Sequence, residues 1–182
     1  MGRTLTTIDD ATRRFIQSQH MFFVATAPAN GHINLSPKGL DTFRVLGPNQ
    51  VAYADFTGSG VETIAHLREN GRITIMFCAF DGGPNILRLY GKGRFVEPTD
   101  SEFKALAAQF NVNSLLRAII VIDVSRVSDS CGFGVPLYDF KGHRNQMCEW
   151  VEKKGETGVR EYQERKNAHS LDGLPGLPSV TR

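Results

Sequence analysis

Asp55-Phe56-Thr57-Gly58-Ser59-Gly60-Val61-Glu62-Thr63 joins a strand-like run, Gln50-Val51-Ala52-Tyr53-Ala54, to a helix-like run over residues 61–70. A Gly-rich turn that opens a helix gathers unpaired backbone N–H groups and the positive end of the helix dipole at one point. Thr57, Ser59 and Thr63 add hydroxyls around the same turn. The outline is that of a phosphate cradle, suited to the phosphate of a flavin, a pyridoxal derivative or a nucleotide. Neither standard nucleotide signature is present: the third glycine of a dinucleotide fingerprint is missing, and no Gly-Lys-Thr/Ser follows. An ordinary strand-to-helix connection uses glycines in the same way, to relieve turn strain.

Upstream, Thr7-Ile8-Asp9-Asp10 has the form of a capping box, and Ile8, Ala11, Phe15 and Ile16 recur at helical spacing. This predicts a first helix over residues 8–19. Residues 21–26 have the composition of a buried strand, and Asn30-Gly31 is a hairpin signal before the alternating Ile33-Asn34-Leu35-Ser36. Residues 42–46 and 50–55 read as the next strand pair, joined through Gly47-Pro48-Asn49.

Downstream, Asn70-Gly71 stops the helix, and residues 72–80 and 86–96 are strands separated by Asp81-Gly82-Gly83-Pro84. Arg88, Tyr90, Lys92 and Arg94 alternate along the second of these and give it one polar, basic face. Thr99-Asp100-Ser101-Glu102 is a second capping box, opening a short helix with Phe103, Leu106, Ala107 and Phe110. Residues 117–127 form the last strong strand, with residues 119–124 central to the core. The order predicts an α+β domain whose antiparallel sheet is long enough to close as a barrel.

The C-terminal third differs in character. Residues 131–139 are a Gly/Pro-punctuated extended segment, and residues 144–154 and 156–166 read as two helices broken at Gly155. Glu156/Arg160 and Glu161/Arg165 have the i,i+4 spacing of exposed ion pairs. In the tail, Leu171, Leu174 and Leu177 recur every third residue, which predicts an extended polyproline-like strip docked on a surface.

Composition narrows the function. With 182 residues, 41% hydrophobic and 22% charged, the chain reads as one soluble domain. A net charge of +2 with scattered basic residues argues against a nucleic-acid partner. The apolar run 118–122 is far too short to cross a membrane, and the start has no apolar signal core. Three cysteines do not make a disulfide framework, and Cys131, His143 and Cys148 match no zinc spacing, so no metal is expected. A cytoplasmic protein is expected.

Three elements together resemble the pyridoxamine 5′-phosphate oxidase-like family of FMN-binding split barrels. They are Phe22-Phe23-Val24-Ala25-Thr26 with Gly31 to Gly39, the Val51 to Gly60 stretch with its helix closing on Glu69-Asn70-Gly71, and the strand ending in Leu89-Tyr90-Gly91-Lys92-Gly93. The resemblance covers about residues 8–130. It implies an antiparallel split β-barrel flanked by short helices over residues 1–130, with residues 131–182 as a helical extension packed on the barrel or on a partner copy. It also implies a homodimer holding FMN between two barrels, with a small-molecule substrate or a nicotinamide donor.

The segment Asn34-Leu35-Ser36-Pro37-Lys38 would lie along the isoalloxazine ring, with Lys38 at its edge, and Phe56, Thr57, Gly58, Ser59, Gly60 and Thr63 would hold the phosphate. A cation at the ring edge stabilises negative charge on the N1–C2=O side of a reduced flavin. Where the oxidases carry an Arg-Lys pair this chain has Glu62 and Thr63, and Ile33 stands in place of a further arginine. Phosphate affinity would then rest on backbone N–H groups, hydroxyls, and Lys38 or Arg88. The tryptophan- and arginine-containing terminal motif of the vitamin B6 oxidases is absent; Trp150 reads as helix packing, with Met147 and Val151.

The expected activity is therefore FMN-dependent oxidoreduction of a small molecule other than pyridoxamine 5′-phosphate. The alternatives are a non-catalytic flavin- or haem-binding stress-response module and a structural dimer with a decayed site. Catalytic residues are not identified: His66, Tyr90 and Arg88 are candidates by type alone, and His66 reads as solvated helix surface.

Overall fold

In the computed structural model, residues 2–111 and 116–180 are described. In chain order the elements are β1 (Thr4–Leu5), α1 (Asp10–Gln17), β2 (Phe22–Thr26), β3 (Asn34–Lys38), β4 (Phe43–Gly47) and β5 (Gln50–Phe56). Then come α2 (Glu62–Glu69), β6 (Arg72–Cys78), β7 (Ile86–Val96), α3 (Phe103–Ala107), β8 (Leu116–Ser130) and α4 (Gln146–Lys166).

One antiparallel sheet runs in the order β3-β2-β6-β7-β8-β5-β4, with β1 paired to β8. The strand β8 is its axis, because it pairs with β7 along one edge and with β5 along the other. Its run Ala118-Ile119-Ile120-Val121-Ile122 is buried on both faces. Ile120 and Ile122 join Val24, Tyr53, Ile64, Ile75 and Leu89 in the main core. Ile119 and Val121 point the other way, into a smaller cluster with Phe56 and Phe110. A strand buried on both faces is a continuous apolar run rather than an alternation, as this one is.

The sheet is not closed, so the α+β architecture is that of a split barrel. Its two ends, β3 and β4, follow each other in the chain through residues 39–42, where Leu40 and Asp41 have φ values of 61° and 55°. The Ala54 N–H donates to the Thr42 carbonyl (2.9 Å), which anchors this connection to β5. The gap of the split therefore falls beside the Asp55–Thr63 stretch.

Local signals were displaced where the backbone found other partners. The Ile8 N–H donates to the Pro48 carbonyl (2.7 Å), which keeps Ile8 out of the helix. Asp9 caps α1 instead, accepting from the Thr12 N–H at 2.8 Å. The second capping box does not form: Glu102 turns to Arg94 on β7 (2.8 Å), and Asp100 accepts from the Glu97 N–H (2.7 Å). On α4 the ion pair present is Arg160–Glu164 (3.3 Å), not the two pairs expected from spacing.

Gly155 interrupts α4 with φ 64° and ψ 172°, a conformation essentially restricted to glycine, as the sequence break predicts. Trp150 and Tyr162 pack edge to face across that interruption, 5.0 Å apart. The tail is docked, but not as a polyproline strip. A turn between Ser170 and Leu174 exposes Leu171. Of the three leucines Leu177 alone joins the core cluster that holds Val61 and Ile64 of the α2 entrance, and Val180 packs against that cluster. No helix among the described residues is long and apolar enough to cross a membrane.

Candidate functional site

A cavity of about 330 Å³ opens in the split, between β3, the β3–β4 connection, β5 and the entrance of α2. Asn34, Ser36 and Lys38 line it from β3, and Phe56, Gly58, Gly60 and Thr63 from the opposite side. These seven expected residues, drawn from two separate stretches, are therefore brought together. The volume lies at the small end of the range for small-molecule sites. A second space of about 880 Å³ shares Pro37, Lys38 and Leu40 with it and extends beneath Phe140, which stacks on His20 at 3.7 Å.

Three expected residues are placed elsewhere. The Thr57 hydroxyl is buried and accepts from the Gln163 side chain of α4 (2.7 Å). Ser59 is exposed. Arg88 lies on β7 and donates to the Ser130 hydroxyl (3.1 Å), away from the cavity wall.

The β3 side chains form a connected ladder rather than free donors. The Ser36 hydroxyl donates to Asn34 Oδ1 (2.9 Å), and the Asn34 amide donates to Thr63 Oγ1 (3.1 Å) and Thr26 Oγ1 (3.2 Å). Thr26 in turn is hydrogen-bonded to His66 Nδ1 at 2.9 Å. This ties the edge strand to α2 and fixes how β3 faces the cavity. His66 is thus fully buried, not on solvated surface, and its Nε2 has no hydrogen-bond partner. Burial pushes its pKa below the ordinary histidine value, against the opposing pull of Glu62, Asp172 and Glu69.

Behind the cavity, Asp55 is completely buried and bridges two cations: Lys38 Nζ at 2.9 Å and Arg117 Nε at 2.8 Å. Burial alone would raise its carboxyl pKa, but Arg117 and Lys38 overcome this and hold it below the ordinary value. Arg117 also donates to the Gly60 carbonyl (2.7 Å), so it clamps the glycine turn from the carbonyl side. Neither Asp55 nor Arg117 was expected in the site. A signal existed: each is a charged residue abutting a fully apolar run, and such residues are buried only when paired. What sequence could not say was that the two runs are neighbouring strands.

The profile of the family described as Pyridoxamine 5'-phosphate oxidase matches residues 8–131. The chain belongs to this family. A "Pyridoxamine 5'-phosphate oxidase family protein ustO" of Aspergillus flavus is 44% identical over 195 residues, spanning 96% of this chain and 78% of that protein. Among solved structures, HupZ of Group A Streptococcus superposes with a TM-score of 0.54 at 24% identity, over 66% of this chain and 91% of that one. An FAD binding protein from Mycobacterium smegmatis gives 0.50 at 13% identity, over 69% and 97%. At these identities the structural likenesses establish the fold. The oxidase family match ends at residue 131, so α4 and the docked tail lie beyond it.

The β3 wall of the cavity carries an amide, a hydroxyl and an ammonium group, each already held by a protein partner. Groups of these kinds would suit the polar edge of a flavin. The glycine-turn side would suit an anion less well, because the Glu62 carboxylate lies against Gly60 in the same wall.

Proposed function

We propose that this chain is a flavin-dependent oxidoreductase that binds FMN in the split-barrel cavity and acts on a small organic molecule other than pyridoxamine 5′-phosphate. The observation that carries this reading is the meeting of Asn34, Ser36 and Lys38 with the Phe56–Thr63 turn around one cavity, in a member of this oxidase family. The ligand for which the Mycobacterium smegmatis neighbour is named, a flavin nucleotide, is of the same chemical kind.

A bound flavin supplies the hydride chemistry, and the protein supplies position and charge. Lys38 places an ammonium group in the cavity wall, and Asp55 fixes where it sits. The Ser36–Asn34–Thr63 ladder holds the edge strand in register against α2. The donor to the flavin would be the organic substrate or a reduced nicotinamide.

A homodimer accords with the apolar side chains left exposed at β3 (Ile33 just before it and Leu35 on it) and in the segment between β8 and α4 (Phe133, Leu137 and Tyr138). Three unpaired cysteines accord with a cytoplasmic location.

Titration with FMN, followed by quenching of its fluorescence, tests the reading. Binding that weakens about tenfold in Lys38→Ala, roughly 1.4 kcal/mol, is the expected result. A colourless protein that ignores added FMN defeats the flavin reading, and unchanged affinity in Lys38→Ala defeats the site. Anaerobic reduction of the bound flavin by NADH, NADPH or a substrate panel separates an enzyme from a flavin-holding module.

A further inference from the structure

We infer that this site grips a flavin through its ring and not through its phosphate, so that it discriminates little between FMN and riboflavin, with Glu62 as the residue responsible. The inference rests on the flavin reading above and concerns the opposite end of the same cavity.

Glu62 lines the cavity with its carboxylate folded back on the glycine turn: a Cβ at Gly60 would collide with Glu62 Oε2. The other oxygen, Oε1, accepts from the Leu171 N–H at 3.2 Å. The carboxylate is therefore held at the place where a Gly-rich turn would otherwise meet an anion.

The cations nearby do not offset it. Lys38 and Arg117 both bind Asp55, and Arg117 meets the turn at the Gly60 carbonyl. Two cations and two carboxylates cancel, which leaves a wall of no formal net charge for a group carrying between one and two negative charges.

The turn is also fastened to the C-terminal segment of the chain. Thr57 Oγ1 accepts from Gln163 (2.7 Å), and the Gly58 carbonyl accepts from Asn167 (3.0 Å). Gly176 lies so close to the Asn167 carbonyl that a side chain would not fit, and Arg68 donates to the Gly176 carbonyl at 2.6 Å. The tail is thus fastened over the phosphate end from both sides.

The test is a pair of flavin titrations by fluorescence quenching, with FMN and with riboflavin, on the whole protein and on Glu62→Gln. The expected result is dissociation constants within about threefold of each other for the natural chain, and FMN alone tightened about tenfold by Glu62→Gln. Salt provides a second measurement that needs no variant. Raising ionic strength from about 0.05 to 0.5 M should leave the FMN-to-riboflavin ratio unchanged, because the cations that line the cavity among the described residues, Lys38 and Arg117, are balanced by Asp55 and Glu62. An FMN preference of about thirtyfold or more in the natural chain overturns the inference and leaves the flavin reading standing, as does an unaltered ratio in Glu62→Gln. Failure of either flavin to bind either protein overturns both.

Discussion

Asp55 Oδ2 accepts a hydrogen bond from Arg117 Nε at 2.8 Å, across 62 residues of sequence. The bond ties the end of β5 to the start of β8, where the two strands pair from Gln50↔Asp123 to Phe56↔Leu116. Both side chains are nearly sealed from solvent, at 0% and 4% exposure. Asp55 has Lys38 as a second cation, but Arg117 has no second carboxylate among the described residues and would not be hydrated without Asp55.

Asp55→Leu leaves the buried Arg117 guanidinium with the Gly60 carbonyl but no carboxylate. It should therefore destabilise the fold by about 3–5 kcal/mol, the usual consequence of stranding a buried charge. Arg117→Met should cost less, because Lys38 still pairs with Asp55. Urea unfolding monitored by circular dichroism measures both. The double variant Asp55→Leu/Arg117→Met should lose much less than the two single losses added together. A strictly additive result would show that the pair is not coupled.

Acid should act through the same carboxylate. The folded pKa of Asp55 is held below its ordinary value of 3.8, so its contribution is complete above that value and fades as pH falls through the lower, folded one. Stability measured at intervals below about pH 4 should fall more steeply in the natural chain than in Asp55→Asn. Parallel curves would remove Asp55 as the source.

His66 predicts a dependence at milder pH. Its folded pKa is depressed below the ordinary 6.5, so the unfolded chain takes up the proton first. The protein should then be fully stable above that value and lose stability as pH falls from about 7 to 5. His66→Leu should flatten this part of the profile, since Thr26 keeps its bond from Asn34. Thermal midpoints at the two ends of the range decide it.

The docked tail makes a fourth prediction. Leu177 is 1% exposed and packs with the α2 entrance, so Leu177→Ala should cost about 2–5 kcal/mol. Thr57→Val removes the acceptor for Gln163 without creating a cavity, and should chiefly loosen α4. Limited proteolysis should then cut sooner between residues 155 and 177. An unaltered cleavage pattern in both variants would mean that the tail is not held by these contacts.

Most elements were legible because their signals are local. The β-branched and aromatic runs gave β2, β5, β6, β7 and β8, Asn70-Gly71 ended α2, and Gly155 divided α4. Capping boxes were less faithful, since a cap side chain competes with any partner the fold brings near. Ile8 was held by Pro48, and Glu102 was taken by Arg94. His66 was misplaced for a related reason. A helix that runs beneath a β-edge, with Thr26 and Asn34 reaching toward it, buries a polar face that its own sequence presents as solvated.

By itself the sequence determined the strand and helix order and the α+β class, because period, turn chemistry and local spacing act between neighbours in the chain. The split-barrel form and the two stretches that meet at the cavity were implied by the resemblance to the oxidase family. Only the tertiary structure decided the electrostatics of that cavity. Asp55 with Arg117, Gln163 with Thr57, and Leu171 with Glu62 are pairs formed between residues 62 to 109 positions apart. Whether a charge is free to meet a ligand depends on what has already neutralised it, and that is fixed by packing rather than by the residue's own neighbours in sequence.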